Sequence, residues 1–382
     1  MPTNLIEKKD HDKPFLEDPS VSHTLPARYF YDPAVFEQEK AAIFYSSWVY
    51  VCHKSRVATP GDYVTELVHD QNVIIVKGRD EQIRAFHNVC QHRGHELLKG
   101  CGKTQMIVCP YHAWTYDLDG NLRAARETGT IEDFDKSDFS LKEVALEEFC
   151  GMLFVNLDGQ AVPLREQVPE LEKEIRSYVP NADDLVYATC QEFEPQANWK
   201  ILVENFQECY HCAVAHKDFS VLVDFGDEAY NPYSNGIYTS HCSTRTTRDS
   251  EAYQVSGNDI DGYGGWFLWP NLTIWVYPGD EQLSVMRVDP LTPTTSYERH
   301  DWFTKDGTVS EELEGTIKFQ RDTLQYAEDI PICENVQKGL KSMGYNQGRF
   351  VVGGERVQVT EAPVHHFQKL VVNALGLKIG VK

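Results

Sequence analysis

The 382-residue sequence has no long hydrophobic run and no excess of basic side chains. No stretch approaches the roughly 18 consecutive apolar residues of a membrane-spanning helix, so we predict no membrane segment. The chain carries 36 lysines and arginines against 58 aspartates and glutamates, a formal net charge of -22. A protein that binds nucleic acid needs a basic face for the phosphates, and this charge balance argues against such a partner.

The chain also lacks a G-x-G-x-x-G fingerprint behind a predicted strand, so no nicotinamide or flavin site is recognisable. Residues 1–26 are polar and contain prolines, without the charged-then-apolar leader of secreted proteins. We therefore expect a cytoplasmic protein whose ten cysteines need not pair as disulfides. Cys101 is expected to be a free thiol in a loop.

Two short motifs stand out, Cys90-Gln91-His92 and Cys109-Pro110-Tyr111-His112. Each joins one cysteine to one histidine. Two thiolates and two imidazoles are too few soft ligands for an all-cysteine iron–sulfur cluster, but they suit a Rieske [2Fe–2S] cluster, in which histidines replace cysteines on one iron. A tetrahedral structural zinc accepts the same ligand types, although a common zinc finger pairs Cys with Cys and His with His.

A second group of metal-ligand residues is Glu208-Cys209-Tyr210-His211, with His216 five residues later. On an ideal helix a five-residue step places the two histidines roughly 140° apart, so the helix must loosen or end between them to bind one metal. A ferrous site of two histidines also needs a carboxylate. Spacing alone does not select that acid, and a lone histidine on a helix is more often structural.

The hydrophobic pattern predicts an α+β fold in three parts. Residues 1–44 form an N-terminal arm and helix, residues 45–160 a small antiparallel β domain, and residues 161–382 a domain with a helix-flanked antiparallel sheet. Strands are predicted over residues 63–68, 73–77, 83–87, 106–109, 151–157, 187–194, 265–277, 283–288 and 296–303. Helices are predicted to begin at Asp32-Pro33 and to cover residues 198–215, 311–327 and 330–342. Residues 164–178 are predicted to form a surface helix or a linker.

From about Leu25 to the Phe367 region the chain resembles the oxygenase (alpha) components of the Rieske non-heme iron oxygenases. Within that family it is similar to the oxygenases that act on carnitine, betaines, choline and related quaternary ammonium compounds. Residues 217–225 depart from the carnitine-type pattern. The resemblance is carried by Cys90-Gln91-His92-Arg93-Gly94, Cys109-Pro110-Tyr111-His112-Ala113-Trp114, Asn198-Trp199-Lys200, Glu208-Cys209-Tyr210-His211, residues 336–342 and residues 361–367.

The resemblance implies two metal sites. A 2Fe-2S cluster would be bound in the 45–160 domain and a single Fe(II) in the 161–382 domain, where the resemblance selects Asp329 as the carboxylate. The implied cluster ligands are Cys90, His92, Cys109 and His112, and the implied iron ligands are His211, His216 and Asp329.

The resemblance also implies a role for Glu208. In the family an acid at this position links the cluster of one subunit to the iron of its neighbour in a ring, here a homotrimer. Most ring-hydroxylating members have Asp at this position, and Glu is a departure that we associate with oxygenases of quaternary ammonium compounds.

The implied reaction uses O2 and electrons from NAD(P)H, delivered by a separate flavin/ferredoxin-type reductase. Hydroxylation of a C–H bond next to the nitrogen of a quaternary ammonium or betaine substrate would give N-demethylation or C–N cleavage. Three alternatives remain at this point: aromatic ring hydroxylation, a Rieske electron carrier and a zinc-stabilised binding protein. The carrier would account for the first pair of motifs only.

One aromatic-rich run is a candidate for the wall of a pocket that holds a cation. Aromatic faces attract a quaternary ammonium by about 0.5 to 2 kcal/mol per contact, but strands are rich in aromatic residues anyway and ordinary core packing explains the run equally well. Strand alternation places Trp275 and Tyr277 on one face but separates Trp266 from Trp269. The candidate pocket residues are Trp266, Trp269, Asn271, Trp275 and Tyr277.

Overall fold

A computed structural model of the chain describes residues 12–226, 229–244, 255, 257, 259–353 and 360–380. The chain divides into two compact units: one is Phe44–Leu164, and the other combines Met1–Ile43 with Arg165–Lys382. Among the described residues, no helix is both long enough and apolar enough to cross a membrane.

The unit Phe44–Leu164 is a β structure of two antiparallel sheets. Seven strands follow the order β1-β10-β9-β4-β3-β2-β5, and three short strands follow the order β6-β7-β8. The strands are β1 Val49–His53, β2 Asp62–Val68, β3 Gln71–Lys77, β4 Ile83–His87, β5 Cys101–Lys103, β6 Ile107–Val108, β7 Thr115–Tyr116, β8 Leu122–Ala124, β9 Glu143–Phe149 and β10 Met152–Asn156. The 3₁₀ turns are Lys54–Val57 and Lys136–Phe139.

Strand β3 divides the core of this unit into two clusters. Successive side chains of a strand point to opposite faces, and here Val73 and Ile75 join one apolar cluster while Ile74 and Val76 join the other. The second cluster also contains Cys90 and Cys109. The cysteines of the two Cys/His motifs therefore lie in the packed apolar core.

Every predicted strand of this unit is present, but β1, β5, β7, β8 and β9 were not predicted. Cys101 is an exposed free thiol as expected, yet it begins the edge strand β5 instead of lying in a loop.

At the ends of the unit, the indole N–H of Trp48 donates to the carbonyl oxygen of Val162 at 2.9 Å.

The second unit contains a seven-stranded antiparallel sheet in the order β11-β17-β16-β15-β14-β13-β12. The predicted α+β class, with a small β domain followed by a helix-flanked antiparallel sheet, is confirmed. The strands are β11 Val186–Phe193, β12 Tyr233–Asn235, β13 Tyr238–Ser240, β14 Gly264–Leu268, β15 Leu272–Val276, β16 Gln282–Thr292 and β17 Thr295–Thr304.

Nine α-helices are seen in the described residues, with 3₁₀ turns at Ala27–Phe30 and Ala182–Asp184 and π-helical segments at Lys40–Phe44 and Phe319–Asp329. Asp32 caps the first helix by accepting the N–H of Ala34 at 2.8 Å, as its position before a proline predicted. The helices are α1 Pro33–Glu39, α2 Leu164–Gln167, α3 Pro169–Tyr178, α4 Trp199–Phe206, α5 Cys212–Ala215, α6 Phe219–Leu222, α7 Glu311–Lys318, α8 Ile330–Leu340 and α9 Ala362–Ala374.

Two predicted elements of this unit are wrong in a way that matters for the site. The run 265–277 is not one strand but the hairpin β14–β15, which turns between Leu268 and Leu272. Pro270 lies in this turn, where its missing N–H costs no ladder hydrogen bond. The predicted helix 198–215 is likewise broken into α4 and α5 by the segment 207–211.

The N-terminal segment up to Ile43 contributes to the core of this second unit. Glu39, at the end of α1, accepts from the ammonium of Lys200 at 2.5 Å and from the indole N–H of Trp199 at 2.9 Å. All three side chains are buried, since none is more than 1% exposed. Because a buried charge without a partner is strongly destabilising, α4 depends on this N-terminal carboxylate.

Candidate active site

The two Cys/His motifs fold into matching loops. In the first, the N–H of Gly94 donates to Cys90 O at 3.0 Å and the N–H of Cys90 donates to His95 O at 2.8 Å. In the second, the N–H of Ala113 donates to Cys109 O at 3.0 Å and the N–H of Cys109 donates to Trp114 O at 2.8 Å. Gly94 and Ala113 both adopt positive φ, +72° and +58°. Each loop thus presents its cysteine and histidine in the same way.

The four side chains of these loops fit a cluster with two histidine ligands. Cys90 and Cys109 are each 2% exposed, and burial together with the neighbouring Cys90 raises the pKa of the Cys109 thiol. The rings of His92 and His112 lie 4.8 Å apart. Among the described residues, the buried Nδ1 of His112 has no hydrogen-bond partner. A cluster bound here would neutralise the paired thiolates and give that nitrogen a partner.

The broken helix brings His211 and His216 together. Helix α4 ends at Phe206, and Glu208 then accepts the N–H of His211 at 3.1 Å, as well as the N–H of Tyr210. The single turn α5 follows and ends with His216 in a non-helical conformation. The predicted loosening between the histidines is therefore present, although Glu208 contacts His211 through a turn and not across a helix face.

Three potential ligand atoms converge at this point. His211 Nε2 lies 3.0 Å from His216 Nε2, and Asp329 Oδ1 lies 3.0 Å from His216 Nε2 and 3.8 Å from His211 Nε2. Ligands about 2.0–2.2 Å from a metal at near-right angles would lie about 3 Å apart. Apart from these two imidazoles, the buried Asp329 Oδ1 has no polar partner within the described residues. These residues fit a metal held on one face by two histidines and a carboxylate.

The outer nitrogen of each imidazole is held by a carboxylate. His211 Nδ1 lies 2.6 Å from Glu208 Oε1, and His216 Nδ1 lies 2.7 Å from Glu328 Oε2. Each Nδ1 carries the proton that it donates to its carboxylate, so the two Nε2 atoms, which face Asp329, are the nitrogens that could bind a metal. Burial lowers the pKa of His216, but the hydrogen bonds and charges of Asp329 and Glu328 outweigh it and raise that pKa to about 9. The site therefore attracts positive charge.

Cys212 is a further donor near the histidines, since its sulfur and one nitrogen of each histidine lie within 4.8 Å of one another. The sulfur is, however, joined to Cys209 in a disulfide. It is not a thiolate in this state, so Asp329 completes the ligand set better. The disulfide was not predicted from the sequence.

A cavity opens beside these ligand atoms and is lined by Glu208, His211, His216 and Asp329. Trp275 and Tyr277 line it, whereas Trp266, Trp269 and Asn271 do not. Trp266 lies on the other face of the sheet and donates its indole N–H to Glu174 at 3.0 Å, and Asn271 donates to Val288 O at 2.9 Å. The remaining lining residues are Leu202, Asn205, Phe206, Cys209, Cys212, Phe219, Phe225, Tyr230, His241, Tyr263, Met286, Glu298, Gln320, Leu324, Gln325 and Cys333.

Several polar groups of the cavity wall and around the histidines were missed by sequence reasoning. Glu328 directly precedes Asp329, and this adjacency was the only available signal. His241 and Glu298 are isolated in the sequence and carry no motif. Burial, with a contribution from His211, lowers the pKa of His241 to about 3, so this imidazole is neutral. Its Nδ1 lies 3.1 Å from the hydroxyl of Tyr230.

Two family matches span these residues. The Rieske [2Fe-2S] domain matches residues 47–135, and the ring hydroxylating alpha subunit (catalytic domain) matches residues 182–376. The chain belongs to the family of Rieske ring-hydroxylating oxygenase alpha subunits. The family predicted from the motifs is confirmed, and so is the enzyme class of an oxidoreductase that uses a Rieske domain.

Two relatives match this chain over different lengths. The carnitine monooxygenase oxygenase subunit of Acinetobacter pittii (strain PHEA-2) is 36% identical over 368 residues, which are 96% of this chain and 98% of the relative. The glycine betaine monooxygenase oxygenase subunit of Chromohalobacter salexigens is 37% identical over 226 residues, 58% of this chain and 50% of that relative.

Two solved structures resemble this chain over most of its length. A quaternary ammonium Rieske monooxygenase, CntA, in complex with its substrate L-carnitine is 35% identical with a TM-score of 0.85, covering 97% of this chain and 99% of that one. Naphthalene 1,2-dioxygenase from Rhodococcus sp. is 18% identical with a TM-score of 0.77, covering 92% and 94% of the two chains. This second likeness shows a shared fold only.

Proposed function

We propose that this chain is the oxygenase component of a two-component monooxygenase that hydroxylates a C–H bond next to the nitrogen of a quaternary ammonium or betaine substrate. The observation that carries the proposal is the convergence of His211, His216 and Asp329 at one end of a cavity walled by Trp275 and Tyr277. Relatives that act on carnitine and glycine betaine support the substrate class.

Two cofactors follow from the residues. Cys90, His92, Cys109 and His112 would hold a 2Fe-2S cluster, and His211, His216 and Asp329 would hold a ferrous ion. When bound, these centres would supply electron storage and dioxygen activation. The balanced reaction consumes one C–H bond, O2, two electrons and two protons, and it yields an alcohol and water. A carbinolamine formed in this way collapses to an amine and an aldehyde.

The protein's own residues would fix the geometry of that chemistry. Glu208 and Glu328 hold the Nδ1 protons of His211 and His216, so both rings keep the orientation in which Nε2 faces Asp329. Phe206 packs 5.3 Å from Trp275, and these apolar faces exclude water from the reacting carbon.

The electrons would come from outside the chain. The edge of the cluster domain that carries His92 and His112 is partly exposed and is surrounded by Tyr111, Ile131 and Phe134. We infer that a separate reductase oxidises NAD(P)H and delivers electrons there, one at a time. In a homotrimer, Glu208 would then link the cluster of one subunit to the iron of the next.

The test is product analysis with a surrogate reductase. Carnitine, glycine betaine, choline and aromatic acids are each incubated with holoenzyme, reductase, NADH and O2, and aldehyde and amine release are measured. Aldehyde and amine formation from at least one methylated ammonium compound, with no diol from aromatic acids, is the expected result. Turnover of aromatic acids alone would replace the proposal with aromatic ring hydroxylation.

A further inference from the structure

Three carboxylates line the active-site cavity in the described part of the chain: Glu208, Glu298 and Asp329. Glu208 and Asp329 lie against the two histidines. Glu298 is only 1% exposed, and its Oε2 has no hydrogen-bond partner within the described residues. It is therefore a buried acid for which neither the fold nor the proposed metal site provides a partner.

The sheet explains why Glu298 faces the cavity. It lies on β17 opposite Val288, and Met286 and His300 form the next pair on the same face, two residues along each strand. Because alternate residues share a face, Glu298 belongs to the face that contains Met286, a cavity-lining residue. Arg299 lies on the opposite face and pairs with Asp301 at 2.9 Å. The side chain of Arg299, the basic residue next to Glu298 in the sequence, is thus directed away from the cavity.

Apart from its histidines, the charged side chains of the cavity wall are carboxylates. Its lining residues in the described chain include no lysine or arginine. Burial of an unpaired carboxylate is costly, so such a group either binds a proton or receives a cation. Burial together with the charge of Asp329 raises the pKa of Glu298 to about 8. This shift is typical of a buried carboxyl group that lacks a counter-ion.

We propose that Glu298 is the anionic subsite that receives the cationic nitrogen of the substrate, and that it sets the preference for cations over neutral molecules of the same shape. The inference rests on the proposed function and deepens it. A quaternary ammonium has no N–H, and its charge is spread over the N-methyl groups, so a carboxylate attracts it without a hydrogen bond. Trp275 and Tyr277 supply aromatic walls for the same group.

The experiment compares isosteric ligands that differ only in charge. L-carnitine is paired with 3-hydroxy-5,5-dimethylhexanoate, and choline with 3,3-dimethylbutan-1-ol. In each pair carbon replaces nitrogen. Dissociation constants are measured by calorimetry on anaerobic holoenzyme, for the parent, for Glu298→Gln and for Glu298→Asp. Glu281→Gln is the matched control, because Glu281 is also buried, at 8% exposure, but does not line the cavity.

The expected result is that Glu298→Gln lowers the ratio of the affinity for the ammonium ligand to the affinity for its carbon analogue by about tenfold or more, in both pairs. The neutral 3,3-dimethylbutan-1-ol should bind the parent and this variant equally well. Glu298→Asp should keep the cation preference, and Glu281→Gln should match the parent. Cluster absorption and the thermal unfolding midpoint check that each variant is folded.

Two outcomes would overturn the inference, and they differ in what they say about the proposed function. If the parent prefers and turns over the cations, and the affinity ratio is unchanged in Glu298→Gln, the assignment of Glu298 fails while the proposed function stands. If the parent neither binds nor turns over any quaternary ammonium compound, the proposed function fails and this inference fails with it.

Discussion

Asp329 is the residue on which the metal centre depends most directly. Its Oδ1 lies 3.0 Å from His216 Nε2 and has no other partner within the described residues. Asp329→Ala should abolish mononuclear iron binding and turnover but leave the cluster spectrum unchanged, because the cluster ligands lie in the other unit. Iron and sulfide analysis with absorption spectroscopy measures both. Full iron content with normal product formation would remove Asp329 from the ligand set.

Glu328 should act through His216 and not on the metal itself. Glu328→Gln keeps the side-chain shape but weakens the acceptor for the Nδ1 proton of His216, 2.7 Å away. We expect iron affinity to fall by about 10–100-fold, as measured by competition with a chelator. The solvent-exposed Glu314→Gln serves as a control. An unchanged affinity would mean that the His216 ring is held by packing alone.

Glu298 should make stability depend on pH. Its pKa in the folded protein is about 8, above the usual value of about 4.3 for the unfolded chain. The folded state therefore binds the extra proton, and this contribution is complete below pH 4.3 and is lost as the pH rises through 8. Glu298→Gln has no such proton, so its stability relative to the parent should increase by more than about 1.4 kcal/mol between pH 5.5 and 8.5. Thermal unfolding at both pH values tests this, and a pH-independent difference would contradict it.

At the scale of the secondary-structure elements, the segment Phe319–Asp329 sets the direction of two acids at once. It is π-helical and runs directly into α8, and π-helical turns recur at functional sites. Adjacent Glu328 and Asp329 both reach His216, one at Nδ1 and the other at Nε2. The wide turn is thus part of the metal site.

Deleting one exposed residue from that segment should destroy the site without unfolding the chain. Removing Ala327 shifts Asp329 by one position around the helix axis, relative to the cavity-lining residues Leu324 and Gln325. We expect loss of mononuclear iron with retention of the cluster. Ala327→Ser, which changes the side chain but not the register, is the matched control. Normal iron content in the deletion variant would show that the π-helical geometry is dispensable.

Sequence reasoning recovered the elements whose signals are local. The cap at Asp32-Pro33, the five predicted strands of the cluster domain and the two Cys/His motifs all carry short-range patterns. It failed at residues 207–211, because the hydrophobic residues on either side continue a helical period and the break depends on Glu208 capping the backbone of Tyr210 and His211. Asp329 was selected only by resemblance, since no spacing rule joins it to His211 across more than one hundred residues. Glu298 could not be identified as a cavity residue from the sequence, because strand pairing forms its surroundings and no local motif marks it.

At the scale of the whole molecule, Glu208 is where electron transfer can be tested. It accepts from His211 Nδ1 at 2.6 Å, and we propose that in a homotrimer it also reaches the cluster of a neighbour. Glu208→Gln should retain both metals and the oligomeric state but slow oxidation of the reduced cluster in the presence of substrate and O2. Rapid mixing of prereduced enzyme measures the rate. A rate equal to that of the parent would show that electrons do not pass through Glu208.

The N-terminal segment belongs to the same compact unit as residues 165–382, so one cut in the chain does not separate the two units. Glu39 neutralises Lys200, although the whole unit Phe44–Leu164 lies between them in sequence. The cluster domain is thus an insertion within the catalytic domain. A fragment beginning at Arg165 would bury Lys200 without its counter-charge, so simple truncation cannot yield a folded catalytic half. Because Trp48 and Val162 are in direct contact, the inserted domain starts and ends at one place, and a short bridge from Ile43 to Arg165 is the excision that the architecture permits.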